Sequence, residues 1–194
     1  MNPETNLPSS NIPKGVGGLD VRGQIIRMNV RAASALVMAK DTGRLLLAFR
    51  STSALGHIKE QKWNLWGGKV DLEESPEMSA VKWTKRQTSY TGHFTDSIPL
   101  YTFFSTTTNF RYYIFLLVVE KEFTPTIEEG GSILNYKWVE YGEWPELLHP
   151  IVKELFIKVS SKLKGIIEKI IIKESLAKEY ITIKLKELIK ELWQ

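Results

Sequence analysis

Two apolar runs, Ala35-Leu36-Val37-Met38-Ala39 and Leu45-Leu46-Leu47-Ala48-Phe49, flank the turn-forming Lys40-Asp41-Thr42-Gly43, and this pattern predicts a β-hairpin. A second strand, turn, strand pattern runs through Leu100 to Ser105 and Arg111 to Val119, both rich in aromatic and β-branched residues, around Thr106-Thr107-Thr108-Asn109. Within it, Tyr112 to Val119 is apolar without alternation, as in a strand covered on both faces, which implies a sheet lying between helices. Between the two pairs, Ser75 suits an N-cap, Pro76 the first helical position and Glu77 the positive end of the helix dipole, so a helix is expected from Pro76 to about Ser89. A last strand is expected at Tyr136 to Val139, and His149-Pro150 marks the next boundary.

From there the pattern changes period. Val152, Phe156, Val159, Leu163, Ile166 and Ile170, then Ile181, Leu185, Leu188 and Leu192, recur in steps of three and four with Lys and Glu between them, which defines one apolar stripe on a helix. Gly165 and Lys173-Glu174-Ser175 interrupt it, so two helices or one bent helix are expected. The stripe has three uses open to it: packing on the body or on its own second half, self-association as a short coiled coil, or lying on a membrane surface.

Three units result: an arm at residues 1–23 with three prolines and four glycines, too poor in large apolar groups to build a core, a folded body at 24–150, and a lysine-rich helical extension at 151–194. The extension holds ten lysines and six glutamates and so carries the whole net charge of +4, leaving the body formally neutral. A nucleic-acid interface, which concentrates basic residues on its working face, is therefore not expected. The absence of cysteine excludes disulfides, thiol nucleophiles and zinc sites with sulfur ligands. With no secretory-type leader and no apolar run of membrane-spanning length, a cytoplasmic chain is the expectation. His57, His93 and His149 form no recognisable triad; His93, just past the expected helix, is a base only if it faces a pocket.

The segment Trp66-Gly67-Gly68-Lys69-Val70-Asp71-Leu72-Glu73-Glu74-Ser75-Pro76-Glu77 continues through Lys82-Trp83-Thr84-Lys85-Arg86-Gln87-Thr88-Ser89-Tyr90 and resembles a Nudix box without its usual metal ligands. Gly68 and Glu74 fall at the family's spacing. Downstream, Lys82 stands in place of Arg, Trp83 of the first Glu, Thr84 of the aliphatic residue, Arg86 and Gln87 of the Glu-Glu pair, and Ser89 of the Gly. The likeness extends over residues 30–150, from the hairpin to Trp138-Val139-Glu140 and Trp144-Pro145-Glu146-Leu147-Leu148. It implies an α+β fold, an α/β/α sandwich with a mixed sheet and here a C-terminal helical extension, in which the box holds magnesium or manganese against a diphosphate.

Residues 83, 86 and 87 share one helical face, and magnesium requires oxygen ligands in near-octahedral geometry. This face offers an indole, a guanidinium and a neutral amide, so metal binding of the family type is expected to be lost. Glu73, Glu74 and Glu77, with the amide oxygen of Gln87 and the pair Glu128-Glu129, are the remaining oxygen donors for Mg2+, and Glu74 is the candidate catalytic residue. Gly67, Gly68, Lys69, Lys82 and Arg86 are candidates for holding a phosphate directly, Arg86 by its bidentate fork. Against this, the pairing expected for Arg86 is with Glu73, Glu74 or Glu77, which seals the old site. Trp63, Trp66 and Trp83 either stack on a base or belong to the core. The expected role is that of a non-hydrolytic structural, regulatory or nucleotide-binding subunit, docked to a protein partner or a second copy through the arm and the C-terminal helices. The alternative is a Mg-dependent hydrolase of nucleoside diphosphate-linked substrates.

Overall fold

The computed structural model describes residues 30–54, 58–105 and 109–192. The expected arm at 1–23, His57 and residues 106–108 of the expected turn lie outside them. Strand β1 (Arg31–Ala39) pairs in parallel with β6 (Phe110–Val119) along its whole length. Its other edge is shared by β4 (Trp66–Lys69) at the N-terminal end and β2 (Leu45–Ala54) at the C-terminal end, both antiparallel. β2 also pairs with β3 (Ile58–Asn64) and β7 (Ile133–Val139), and β5 (Asp96–Ser105) closes the far side against β6. The sheet is mixed.

Side-chain alternation along β1 builds two cores. Ala33 and Ala35 join Phe115, Leu117 and Ala80 beneath helix α1 (Pro76–Thr88). Leu36 and Met38 join Ile114, Leu116 and Val118 beneath helix α2 (Pro150–Leu192). Both faces are thus covered, in keeping with the unbroken apolar run of β6. The hairpin, α1 and the strands after it stand where the sequence places them. β3, with its sequence Ile-Lys-Glu-Gln-Lys-Trp-Asn, is a strand the apolar pattern does not announce, because it is an edge strand whose stability comes from pairing with β2.

The C-terminal segment, 151–194, forms the single helix α2 as far as Leu192, and Gly165 is accommodated within it. Val152, Leu155, Phe156, Val159, Leu163 and Ile167 are all buried in the larger core. Full burial of Leu155 and Leu163 stabilises by about 1.5–3 kcal/mol each. Trp144 stacks on Phe156 at 3.7 Å, Tyr141 donates to the Ser160 carbonyl, and Lys162 Nζ donates to the Pro99 carbonyl, fixing the helix at three points. Past Ile170 the same helix carries exposed apolar residues. Among the described residues, no helix is long and apolar enough to cross a membrane.

Candidate functional site

The site is built where β4 turns into α1. Arg31 donates to the carbonyls of Asp71 and Leu72, and Val70 N–H donates to the Arg31 carbonyl, so the loop is tied to the start of β1. Ser75 caps α1 by accepting from Met78 N–H at 3.1 Å, with Pro76 and Glu77 in the first turn. The inner face of the helix carries buried Ser79, Ala80, Thr84 and Thr88. Thr84, in the aliphatic position of the box, satisfies its hydroxyl by donating to the Ala80 carbonyl, and Thr88 does the same to Thr84.

Two of the three positions that would supply ligands, 83 and 87, hold the helix to the strand instead. The Trp83 ring lies flat against Gly68, where an added Cβ would collide with it, and its Nε1–H donates to the Lys69 carbonyl at 2.8 Å. Gln87 makes a reciprocal pair with the backbone of Gly67, its Oε1 accepting from Gly67 N–H and its Nε2 donating to the Gly67 carbonyl, both at 3.0 Å. A carboxylate at position 87 would keep the first bond and replace the second by repulsion between two oxygens. Gly67 itself has no room for a side chain, because a Cβ would strike the Ala33 carbonyl and the Ser34 hydroxyl.

The acidic candidates are scattered or occupied. Lys82 Nζ lies 2.8 Å from Asp71 and 2.7 Å from Glu74, and these bonds, that to Asp71 first, raise its pKa. The expected partner of the box carboxylates was Arg86, but Lys82 sits one turn closer to the loop and takes that place. Glu73 and Glu77 are exposed, and among the described residues no three acidic or histidine side chains are grouped to hold an ion. The donors on the 83/86/87 face therefore do not fit the family's magnesium.

Arg86 is exposed, lies over the Trp83 ring at 5.4 Å, and has no carboxylate partner among the described residues. It opens on a cleft of about 240 Å³ lined also by Trp83, Gln87, Thr126, Glu128 and Ser132. Of the remaining ligand candidates, Gly67 is buried under Gln87, Gly68 lies under Trp83, and Lys69 is exposed outside the cleft wall. Glu128 lines the cleft, whereas Glu129 and His93 do not. Trp66 is fully buried and donates to the Leu46 carbonyl, and Trp63 packs against Phe49, so both are core residues and only Trp83 is placed to meet a ligand.

Two residues that support the strands around Gly67, Arg50 and Tyr112, are not singled out by the sequence and do not line the cleft. Arg50, half-buried, reaches the Gly67 carbonyl at 3.4 Å, and burial pushes its pKa down while nearby Tyr112 offsets part of the effect. Tyr112 donates to Ser34 Oγ at 2.6 Å, and burial pushes its pKa up. The available signal for Arg50 was a cation placed directly after the apolar run of β2.

Ser89 occupies the glycine position of the box and caps α1 in the left-handed conformation, φ 56°. Replacement by glycine relieves that strain, with an expected gain of about 0.5–1 kcal/mol measurable by denaturant unfolding.

The fold and sequence agree with known proteins. The NUDIX domain family model matches residues 28–158. A search of the curated proteins returns no match. Among solved structures, the chain is similar to the MutT NUDIX hydrolase from Burkholderia pseudomallei, at TM-score 0.52 and 16% identity, covering 67% of this chain and 97% of that one. It is also similar to a putative nudix hydrolase family member from Chromobacterium violaceum, at TM-score 0.51 and 12% identity over 75% and 95% of the two chains. A bifunctional NMN adenylyltransferase/ADP ribose pyrophosphatase from Francisella tularensis, complexed with AMP and a manganese ion, matches at TM-score 0.52 and 15% identity, over 70% of this chain and 42% of that one. Identities this low carry the fold alone, but the family match spans most of the sequence, and with the sheet, α1 and the box loop in place the chain belongs to the Nudix family.

Proposed function

We propose that this chain is a non-hydrolytic Nudix-fold subunit that holds a phosphate-containing ligand, such as a nucleotide diphosphate, directly on Arg86. The observation that carries the reading is the use of Trp83 and Gln87: both are committed to the backbone of β4, while the guanidinium between them is free of carboxylates among the described residues. A guanidinium donates in a planar fork that matches two phosphate oxygens, and Trp83 beneath it supplies a flat apolar floor. Ser132 and Thr126 line the same cleft, as does Glu128, whose carboxylate makes no ion pair with Arg86. The arm and the outer part of α2 are the docking segments of this subunit.

Titration of the purified chain with ADP and with inorganic pyrophosphate, followed by calorimetry and by tryptophan fluorescence, tests the site. Binding is expected without added metal, and Arg86→Ala is expected to weaken it about 10- to 100-fold, as for loss of a charged hydrogen-bond partner. Nucleotide turnover that depends on magnesium or manganese and disappears in Glu74→Gln would instead establish the hydrolase reading, with Glu74 released from Lys82.

A further inference from the structure

We propose that Glu128 makes the Arg86 cleft selective for a phosphate joined to a sugar, the guanidinium holding the phosphate while the carboxylate accepts from two neighbouring sugar hydroxyls. This rests on the phosphate role given to Arg86 above and names the ligand class of that site.

The lining of the cleft is fixed by backbone ties. Part of it is the last two turns of α1, where Trp83 and Gln87 are bonded to β4. The rest is the segment from Thr126 to Ile133, which is anchored near both ends. Thr126 N–H donates to the Thr88 carbonyl at 3.0 Å, and Ser51 N–H of β2 donates to the Ser132 carbonyl at 2.9 Å. Between these anchors the chain reverses at 128–131: Gly131 N–H donates to the Glu128 carbonyl at 3.1 Å, and Gly130 takes φ 75°, which other residues rarely adopt. Glu128 is the first residue of this turn, so its backbone is placed by the fold while its exposed side chain lines the cleft.

Arg86 and Glu128 therefore bring opposite charges to one space. They form no ion pair with each other, and neither has a charged partner among the described residues. A carboxylate beside an anion-binding guanidinium weakens the site for a bare anion, which makes it informative about the ligand.

Free pyrophosphate satisfies Arg86 but brings its remaining oxygens near the Glu128 carboxylate, and like charges repel within a space of about 240 Å³. A sugar phosphate sets hydroxyl donors there instead. A carboxylate has two oxygens and accepts from both hydroxyls of a vicinal diol, the chemistry by which acidic residues hold the ribose of dinucleotides. The hydroxyls are neutral, so they add no positive charge beside Arg86. Sites that enclose a whole drug-sized ligand span roughly 300–1,000 Å³, so this smaller cleft takes one sugar-phosphate unit and leaves an attached base at its mouth.

Calorimetric titration of the full chain and of Glu128→Gln, without metal, tests this with three probes: ADP, pyrophosphate, and dideoxy-ADP, which lacks both free ribose hydroxyls. Glutamine keeps the size of the side chain and removes its charge. The unsubstituted chain is expected to bind ADP about 10-fold more tightly than dideoxy-ADP, as for loss of hydrogen bonds to a charged group. In Glu128→Gln that gap is expected to shrink to about two-fold through weaker ADP binding, while pyrophosphate binding tightens about 3- to 10-fold. Equal affinity of the unsubstituted chain for ADP and dideoxy-ADP overturns the selectivity and leaves the phosphate role of Arg86 standing. So does a Glu128→Gln chain that gains affinity for all three ligands alike, since Glu128 would then only compete with them for Arg86. Absence of binding by all three overturns the Arg86 reading and the selectivity together.

Discussion

Gly67→Ala is expected to destabilise the protein by about 3–4 kcal/mol or more, read as a fall of roughly 10 °C in the unfolding midpoint. The added methyl meets the Ala33 carbonyl and Ser34 hydroxyl on one side, while Gln87 holds the Gly67 backbone from the other. These neighbours are strand backbone and a doubly bonded amide, so neither yields without breaking the β1–β4 pairing or the link to α1. Overpacking against a flexible side chain typically costs less. A midpoint within about 2 °C of the unsubstituted protein would show that β4 is not clamped between β1 and α1 as described.

The second large effect is expected for Trp83→Glu, Arg86→Glu and Gln87→Glu combined, which restores three carboxylates at i, i+3 and i+4 on α1. Without metal this variant is expected to be less stable by about 3–6 kcal/mol, because it removes the Trp83 packing over Gly68, its bond to Lys69 and half of the Gln87 pair, and sets like charges together on one face. With metal the sign reverses: an ion bound only by the folded state stabilises by about 2.7 kcal/mol at a hundred times its dissociation constant. Thermal unfolding at increasing magnesium should therefore show rising midpoints for the variant and a flat line for the unsubstituted chain. A variant indifferent to magnesium would mean that the rest of the metal site has gone as well.

The framework of this protein was readable because its signals are local. Asp41-Thr42-Gly43 between two apolar runs, the Ser75-Pro76-Glu77 start and the unbroken run ending at Val119 each determine an element within a few residues. β3 was not readable, since Lys59 to Lys62 gain their strand conformation from pairing with Arg50 to Ser53 of β2 rather than from an apolar pattern of their own. Spacing showed that residues 83, 86 and 87 share a face without carboxylates. It did not show where the indole and amide go, because Lys69 and Gly67 come under α1 only through the sheet. For the same reason Lys82 rather than Arg86 holds Glu74: the choice depends on how the loop at 71–74 folds back on the helix. The stripe of α2 was visible along its whole length, but only the body's size decides that it packs on the core as far as Ile170 and is exposed afterwards.

The most direct test is a crystal structure of the chain soaked with magnesium and ADP. Phosphate oxygens are expected about 2.8 Å from the Arg86 guanidinium, with Gln87 still bonded to Gly67 and Glu74 still held by Lys82. A magnesium ion coordinated by Gln87 and Glu74, with Arg86 swung aside, would contradict this.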